Sequence, residues 1–307
     1  MKKLLSFFLC LMLSIFSVGC TFNTTVNIVI DIDQPWTIGS NFEECVYSVV
    51  KKDANGVVLG TGTLSTTASI NTESKTTTID CAFSFSQAGS TTSATVTDTI
   101  VSSATILNSS CATIKSSKTV NLASDPDLSY SFSADYESRK VDYYTNGATS
   151  PTKTLEIPSS EKTVLDNEAL YYVVRAFNPT EQTEGNFLLT NLYDCYTNDR
   201  IASYSVYYRA SEVLLSVDDF RIANSESASV FAQNGQIKDN KIECYHAKIN
   251  RNETNMSGAP VEMWFSKNPF VGGKKRVMVK MITTTRTIPD ANVDYTIEYE
   301  LVSYRFN

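Results

Sequence analysis

Between Thr61 and Val120, 29 of 60 residues are serine or threonine. A stretch this rich in hydroxyls has few ways to fold. Short polar side chains compete with the helical backbone for hydrogen bonds, whereas the β-branch of threonine fits a pleated surface. The phasing agrees, because Ile79, Cys81, Phe83 and Phe85 alternate with Asp80, Ala82, Ser84 and Ser86, the period of a half-buried strand. The segment therefore predicts a sheet with one apolar face and one hydroxyl-coated face. From Ala82 to Ile114 the only ionisable side chain besides Cys111 is Asp98. Such a surface lacks the charges that keep sheets from pairing with their neighbours, so it is a candidate interaction surface.

Period-two patterning runs through most of the remaining chain. Val26, Ile28, Ile30 and Ile32 alternate with polar residues. Cys45 to Val50 and Val57 to Leu59 flank Asp53-Ala54-Asn55-Gly56, where Asn-Gly supplies the positive φ angles of a hairpin turn. In the second half, Tyr171 to Phe177, Phe187 to Leu189, Tyr193 to Tyr196, Ser203 to Arg209, Ile242 to Ile249, Val261 to Phe265 and Arg276 to Thr283 read as strands. The last strand sets Val293, Tyr295, Ile297, Tyr299 and Leu301 against Asp294, Thr296, Glu298 and Glu300. Only Ser211 to Phe220 has helical spacing, with Ser211 as N-cap. Many short strands without long intervening helices predict an all-β protein built from antiparallel β-sandwiches of immunoglobulin-like or jelly-roll kind. Turn signals crowd between Ser124 and Ser160, and charge increases after them. They divide the mature chain into residues 26–137 and 138–307.

Lys2 and Lys3 precede an apolar run from Leu4 to Phe16, then Ser17, Val18, Gly19 and Cys20. This is the layout of a secretory signal peptide over residues 1–19, too short to span a bilayer, which takes about 20 apolar residues. The Ser17-Val18-Gly19-Cys20 segment resembles the lipobox of bacterial lipoproteins. The resemblance implies that Cys20 receives a diacylglyceryl group and becomes the first mature residue, with residues 20–25 as a short tether. An ordinary small-x-small signal site cuts at the same bond, so the two readings differ in the lipid alone. The stretch Leu170 to Tyr196 also loosely resembles the paired strands of small immunoglobulin-like domains common in secreted bacterial lipoproteins.

The residue inventory narrows the chemistry. A single histidine, His246, removes imidazole clusters and most serine or cysteine triads. It lies in a strand in phase with Ile242 and Cys244, and reads as a packed or hydrogen-bonded residue. No Cys-x-x-Cys spacing occurs, so no metal site and no cofactor is expected. The carboxylate pairs Asp31 with Asp33, Asp125 with Asp127 and Asp218 with Asp219 are the candidates for cation binding or glycoside chemistry. Cys195 and Cys244 form a candidate disulfide, and Cys45, Cys81 and Cys111 leave three alternative bridges open. Tyr143-Tyr144, Tyr171-Tyr172 and Tyr207-Tyr208 each send one ring outward from a strand, and Trp264 falls opposite Val261, Met263 and Phe265. Trp264 is the candidate ligand contact. The 26 basic residues against 33 acidic ones give −7, so nucleic acid is not an expected partner. Lys274-Lys275-Arg276 reads as a solvated turn.

Together these features predict a lipid-anchored extracytoplasmic binding or structural protein of the bacterial cell envelope, periplasmic or at the cell surface. It would be held to the membrane by its lipid and would meet a glycan or protein partner, with no catalytic residue assigned. The alternatives are a carboxylate-dependent carbohydrate-active enzyme and a subunit of a surface assembly.

Overall fold

The computed structural model describes residues 42–88, 94–157, 165–176, 187–194, 201–216, 237–239, 241–253, 256–257, 261–267, 276–286 and 294–306. Its first strands are β1 (Phe42–Lys52), β2 (Val58–Asn71), β3 (Thr76–Ala88), β4 (Thr95–Leu107), β5 (Thr113–Asn121), β6 (Tyr130–Asp135), β7 (Lys140–Thr145), β8 (Lys153–Glu156) and β9 (Leu165–Asp166). A short helix, α1 (Leu170–Val173), follows. The remaining strands are β10 (Phe187–Asp194), β11 (Ala202–Ser216), β12 (Ile237–Lys238), β13 (Lys241–Glu253), β14 (Met256–Ser257), β15 (Val261–Ser266), β16 (Met278–Arg286) and β17 (Asp294–Phe306). All of these strands belong to one sheet, and the architecture is all-β.

β1 is the spine of the sheet. On one edge it pairs antiparallel with β2, and a meander continues through β3, β4, β5, β6 and β7 to β8. On its other edge it pairs with β17, which leads through β16, β15, β13 and β11 to β10. The chain's two halves thus meet along β1, with Glu43 opposite Phe306 and Lys52 opposite Thr296. β9 joins β10 in parallel, yet the Asp166 amide donates to Thr113 Oγ1 at the start of β5, 3.0 Å away. Strands far apart in the meander therefore approach each other, which requires the sheet to curl. Residue 138 lies in the turn between β6 and β7, which pair from Tyr130↔Thr145 to Asp135↔Lys140.

The β1–β2 hairpin forms where its sequence predicts, with the positive φ taken by Gly56 and not by Asn55. Asp53 Oδ1 accepts from the amides of Asn55 and Val57, and Gly56 takes φ +81°. The alternation of β1 places Glu43, Cys45, Tyr47 and Val49 inside, each 3% exposed or less. The same inner face carries Leu64, Ile79, Phe85, Ala104 and Ile106 from β2 to β4, and Ala247, Met263, Phe265, Met281 and Leu301 from the second half. These residues form one core. A second cluster, Val120, Tyr130, Phe132, Ala134, Val141 and Ile157, fills the β5–β8 end. The opposite face of β2 to β5 carries the expected serine and threonine side chains.

Three expectations are corrected. Of Tyr171 to Phe177, read as a strand, residues 171–176 belong to α1 and a 3-10 turn, Val174–Ala176, preceded by another 3-10 turn, Asn167–Ala169; Phe177 lies outside the described residues. Leu170, Tyr172, Val173 and Val174 are all buried, so neither strand phase faces water. A helical turn satisfies its own backbone groups inside the concave face, which an isolated strand could not do. Asp166 Oδ1 starts the turn by accepting from the Glu168 amide at 2.8 Å. Ser211 to Ser216, read as helix, is the end of β11, paired with β13 from Ser205↔Asn252 to Ser216↔Lys241. This long-range ladder overrides a local apolar spacing; Val217 to Phe220 lie outside the described residues. Arg276, read as part of a solvated turn, is 6% exposed with φ +54°.

Gly60 and Gly62 leave room for the Phe85 ring on the next strand. A Cβ on Gly62 would meet Phe85 Cα at 2.9 Å and crowd the Ser84 carbonyl. Because those are backbone atoms, relief requires the β2–β3 ladder to shift. Gly62→Ala should lower unfolding free energy in urea by about 1–3 kcal/mol, the usual range for overpacking, and an unchanged midpoint would show that the ladder yields freely.

Candidate functional site

The inner face holds a charged centre. Arg175, in the 3-10 turn after α1, reaches Glu43 on β1 with two nitrogens, Nη1 to Oε1 and Nη2 to Oε2, the second at 3.2 Å. Both side chains are 4% exposed. Tyr304 on β17 donates to Glu43 Oε2 at 3.2 Å, and Tyr47 donates to the Met278 carbonyl at 3.1 Å. A cavity of about 30 Å³ lies beside the pair, bordered by Cys45, Thr66, Cys81, Tyr171 and Tyr172. That is room for a water but not for an organic ligand.

A second polar centre fixes the entry to the helical segment. Asp166 is 1% exposed. Its Oδ2 accepts from Ser116 Oγ at 2.7 Å and from Tyr136 Oη, while Lys118 pairs with Glu168 at 2.8 Å. Burial, assisted by the Glu168 charge, outweighs these donors and pushes the Asp166 carboxyl up to about 6. The helical segment is thus held at both ends by carboxylates, Asp166 before it and Glu43 across from Arg175.

His246 and Trp264 face each other across β13 and β15, on the side opposite Met263 and Phe265. Their rings stack with centroids 4.4 Å apart and planes 7° from parallel. His246 Nε2 lies 2.7 Å from Glu262 Oε2, and Lys248 Nζ lies 3.3 Å from the same oxygen. Partial burial holds the imidazole below its ordinary value despite Glu262. Lys280 stands 5.9 Å from the Trp264 ring centre. The indole is therefore half-buried, with His246 stacked against it. The expected hydrogen-bonded histidine is found, and it gains an aromatic neighbour that strand phase alone did not reveal.

The other candidates separate. Asp125 precedes a short 3-10 turn, Pro126–Leu128, that contains Asp127. Asp31, Asp33, Asp218 and Asp219 lie outside the described residues, as do Cys20 and Cys195. Cys244 is a free thiol, fully buried, and burial pushes it and Cys111 up to about 12. Cys45, Cys81 and Cys111 are also free, so none of the three bridges among them is formed. Among the described residues, no group of three His, Cys, Asp or Glu side chains is placed to hold a metal ion.

The Glu43–Arg175 pair escaped the sequence reading, although it left a trace. Glu43 sits in phase with Cys45, Tyr47 and Val49, and Arg175 interrupts the run from Leu170 to Phe177. A charge embedded in an apolar phase is the signature of a buried partner.

No family model and no curated protein matches the chain. Among solved structures, a beta-barrel-like protein of domain of unknown function DUF1849 from Brucella abortus aligns at TM-score 0.54 and 9% identity, over 88% of this chain and 99% of that one. A DUF1329 family protein from Desulfovibrio piger aligns at TM-score 0.20 and 9% identity, over 90% of this chain and 89% of that one. The first likeness places the curled sheet among β-barrel-like folds.

Two outcomes follow from the buried polar centres. Arg175→Ala, which strands Glu43, should cost about 3–5 kcal/mol in urea denaturation, and Glu43→Leu with Arg175→Met should recover most of it. Equal losses in both would deny the pair its role. For Asp166, the folded value near 6 lies above the ordinary 3.8, so the native state binds its proton more tightly than the unfolded chain. Its stabilising contribution is complete below pH 4 and is lost as pH rises through about 6, by about 3 kcal/mol. The stability of the wild type relative to Asp166→Asn should fall by that amount between about pH 4 and 7; a flat difference contradicts the assignment.

Proposed function

We propose that this chain is a lipid-anchored extracytoplasmic protein of the bacterial cell envelope that binds or scaffolds a partner with the outside of its sheet. The observation that carries the reading is the filled interior. The concave face, where a curled sheet would hold a small ligand, is occupied by Leu170, Tyr172, Val173 and Arg175, each 8% exposed or less. Beside the Glu43–Arg175 pair the described residues leave a space of about 30 Å³, against several hundred for ordinary ligand pockets. This filling favours a partner that meets the exterior, and a glycan or a protein suits that geometry. The net charge of −7 argues against nucleic acid. Glu43, Asp98 and Asp166, the buried carboxylates among the described residues, are engaged in ion pairing, in accepting from Gln87 and Ser124, and in capping, which supports a structural role for them.

The leader supports the location. Cys20 follows a positively charged, apolar signal segment, and the two acyl chains of a diacylglyceryl group give stable anchoring where one chain would be marginal. The 21 residues from Thr21 to Asn41 separate that cysteine from β1. Trp264 stays a contact residue in this reading, offering the uncovered part of its ring beside Lys248 and Glu262.

Expression with the native leader tests the proposal. The mature N-terminus should be an acylated Cys20 by intact mass, and Cys20→Ala should move the protein from the membrane fraction to the soluble one. An unacylated Cys20, or a Cys20→Ala variant that still sediments with membranes, would overturn it.

A further inference from the structure

Three of the six exposed large apolar residues among the described residues stand together at the β1–β2 hairpin: Val57 at 57%, Val58 at 54% and Leu59 at 37%. A consecutive run of this kind on a folded surface marks a contact site. Val58 and Leu59 point to opposite faces of β2, so the apolar surface goes round the hairpin instead of covering one side of it. At its base is a collar of lysine and tyrosine. Lys52 pairs with Val58 and Lys51 with Gly60 in the ladder. Lys51 Nζ lies 4.7 Å from the Tyr295 ring centre, and Lys52 Nζ lies 2.7 Å from Glu298 Oε2. Asp53, the carboxylate of the turn, accepts from the amides of Asn55 and Val57.

We propose that this hairpin tip inserts shallowly into a lipid bilayer. Apolar side chains at the end, with lysine and an aromatic ring at the base, follow the order that a membrane interface imposes, acyl chains first and headgroups next. A stable protein partner takes about 800 Å² of contiguous surface from each side, and a partner on either face of the hairpin would leave the other face wet. A fluid apolar phase covers both. The two lysines are matched by Asp53 and Glu298, so insertion and not headgroup charge carries the attraction. Leu128 is exposed on the same rim, where Ser124 meets Gln87, but it adjoins the exposed Asp127, so the contact is assigned to the hairpin alone. The proximity of a membrane rests on the reading of Cys20 as the anchor. The 11 residues of β1 carry the tip about 35 Å from Phe42, and the 21 residues between Cys20 and β1 can span up to about 70 Å. The tip can therefore turn back to the bilayer that holds Cys20. Its three side chains bury less than one acyl chain, whose hold is itself marginal, so without the lipid the chain still leaves washed membranes.

The mature chain from residue 20, carrying Cys20→Ala and hence no acyl group, tests the tip when titrated with phosphatidylcholine vesicles to millimolar lipid. With Val58→Trp added, emission should shift to the blue and be quenched by brominated acyl chains. Val101→Trp, at a site on the outer face that is 55% exposed, should show only the response of the chain without a new tryptophan. Val57→Ser with Leu59→Ser should lower the partition constant about tenfold at an unchanged melting temperature, and high salt should leave partition intact. The proposal is overturned if Val58→Trp is quenched no more than Val101→Trp, if the serine variant partitions like its parent, or if binding requires anionic lipid and vanishes in salt. It is also overturned if the serine variant's effect is the loss of concentration-dependent self-association, which would make the tip a contact between copies. Because the tested chain carries no lipid, the outcome is separate from the anchor. A tip that does not partition leaves an acylated Cys20 standing, and an unacylated Cys20 removes the anchor without changing the measured partition.

Discussion

Burying Glu43 and Arg175 strips two charges of water, a penalty that their mutual attraction repays only when geometry and further donors are good. The structure meets that condition with two contacts between guanidinium and carboxylate and a third donor from Tyr304. The pair also selects one arrangement. Glu43 belongs to β1, where both halves of the sheet join, and Tyr304 belongs to β17 on the adjoining edge. Arg175 belongs to the segment that fills the concave face. One ion pair thus ties spine, edge and filling together, and displacing the filling would leave a carboxylate in an apolar core. Apolar packing alone would hold Leu170 and Val173 with less insistence on register.

Among the described residues the helical segment packs against the inner face, and the outer face of β2 to β4 is left to solvent. That face is built by the same alternation that makes the core. Every inward Leu64 or Ile79 implies an outward Thr63 or Thr78, and a register slip of one residue would exchange the two sets. The core and the hydroxyl-coated face are therefore specified together.

Legibility from the sequence followed the range of the deciding interaction. The strand class, the Asn55-Gly56 hairpin and the hydroxyl-coated face depend on neighbours two to five residues apart, and the sequence carried them. Tyr171 to Ala176 patterns as a strand because Tyr and Val favour strands in either phase. What makes these residues helical is enclosure of Tyr172, Val173 and Val174, together with the Asp166 cap. Val213 and Leu214 keep an apolar spacing that suits a helix, but their partners on β13 lie about thirty residues onward, beyond any local window. Glu43 and Arg175 are 132 positions apart. Each was visible as an anomaly in an apolar phase, and only the fold could show that the two anomalies resolve each other.

The shortage of charge on the Thr-rich strands has a cost. Natural sheets place lysine or aspartate on exposed strands to discourage pairing with other chains, and β2 to β4 forgo this over most of their outer face. The meander limits the hazard because each of these strands already has hydrogen-bonded neighbours on both edges. Backbone groups are thus satisfied, and only side chains remain to be recognised. A face whose edges are closed can stay uncharged without inviting strand addition.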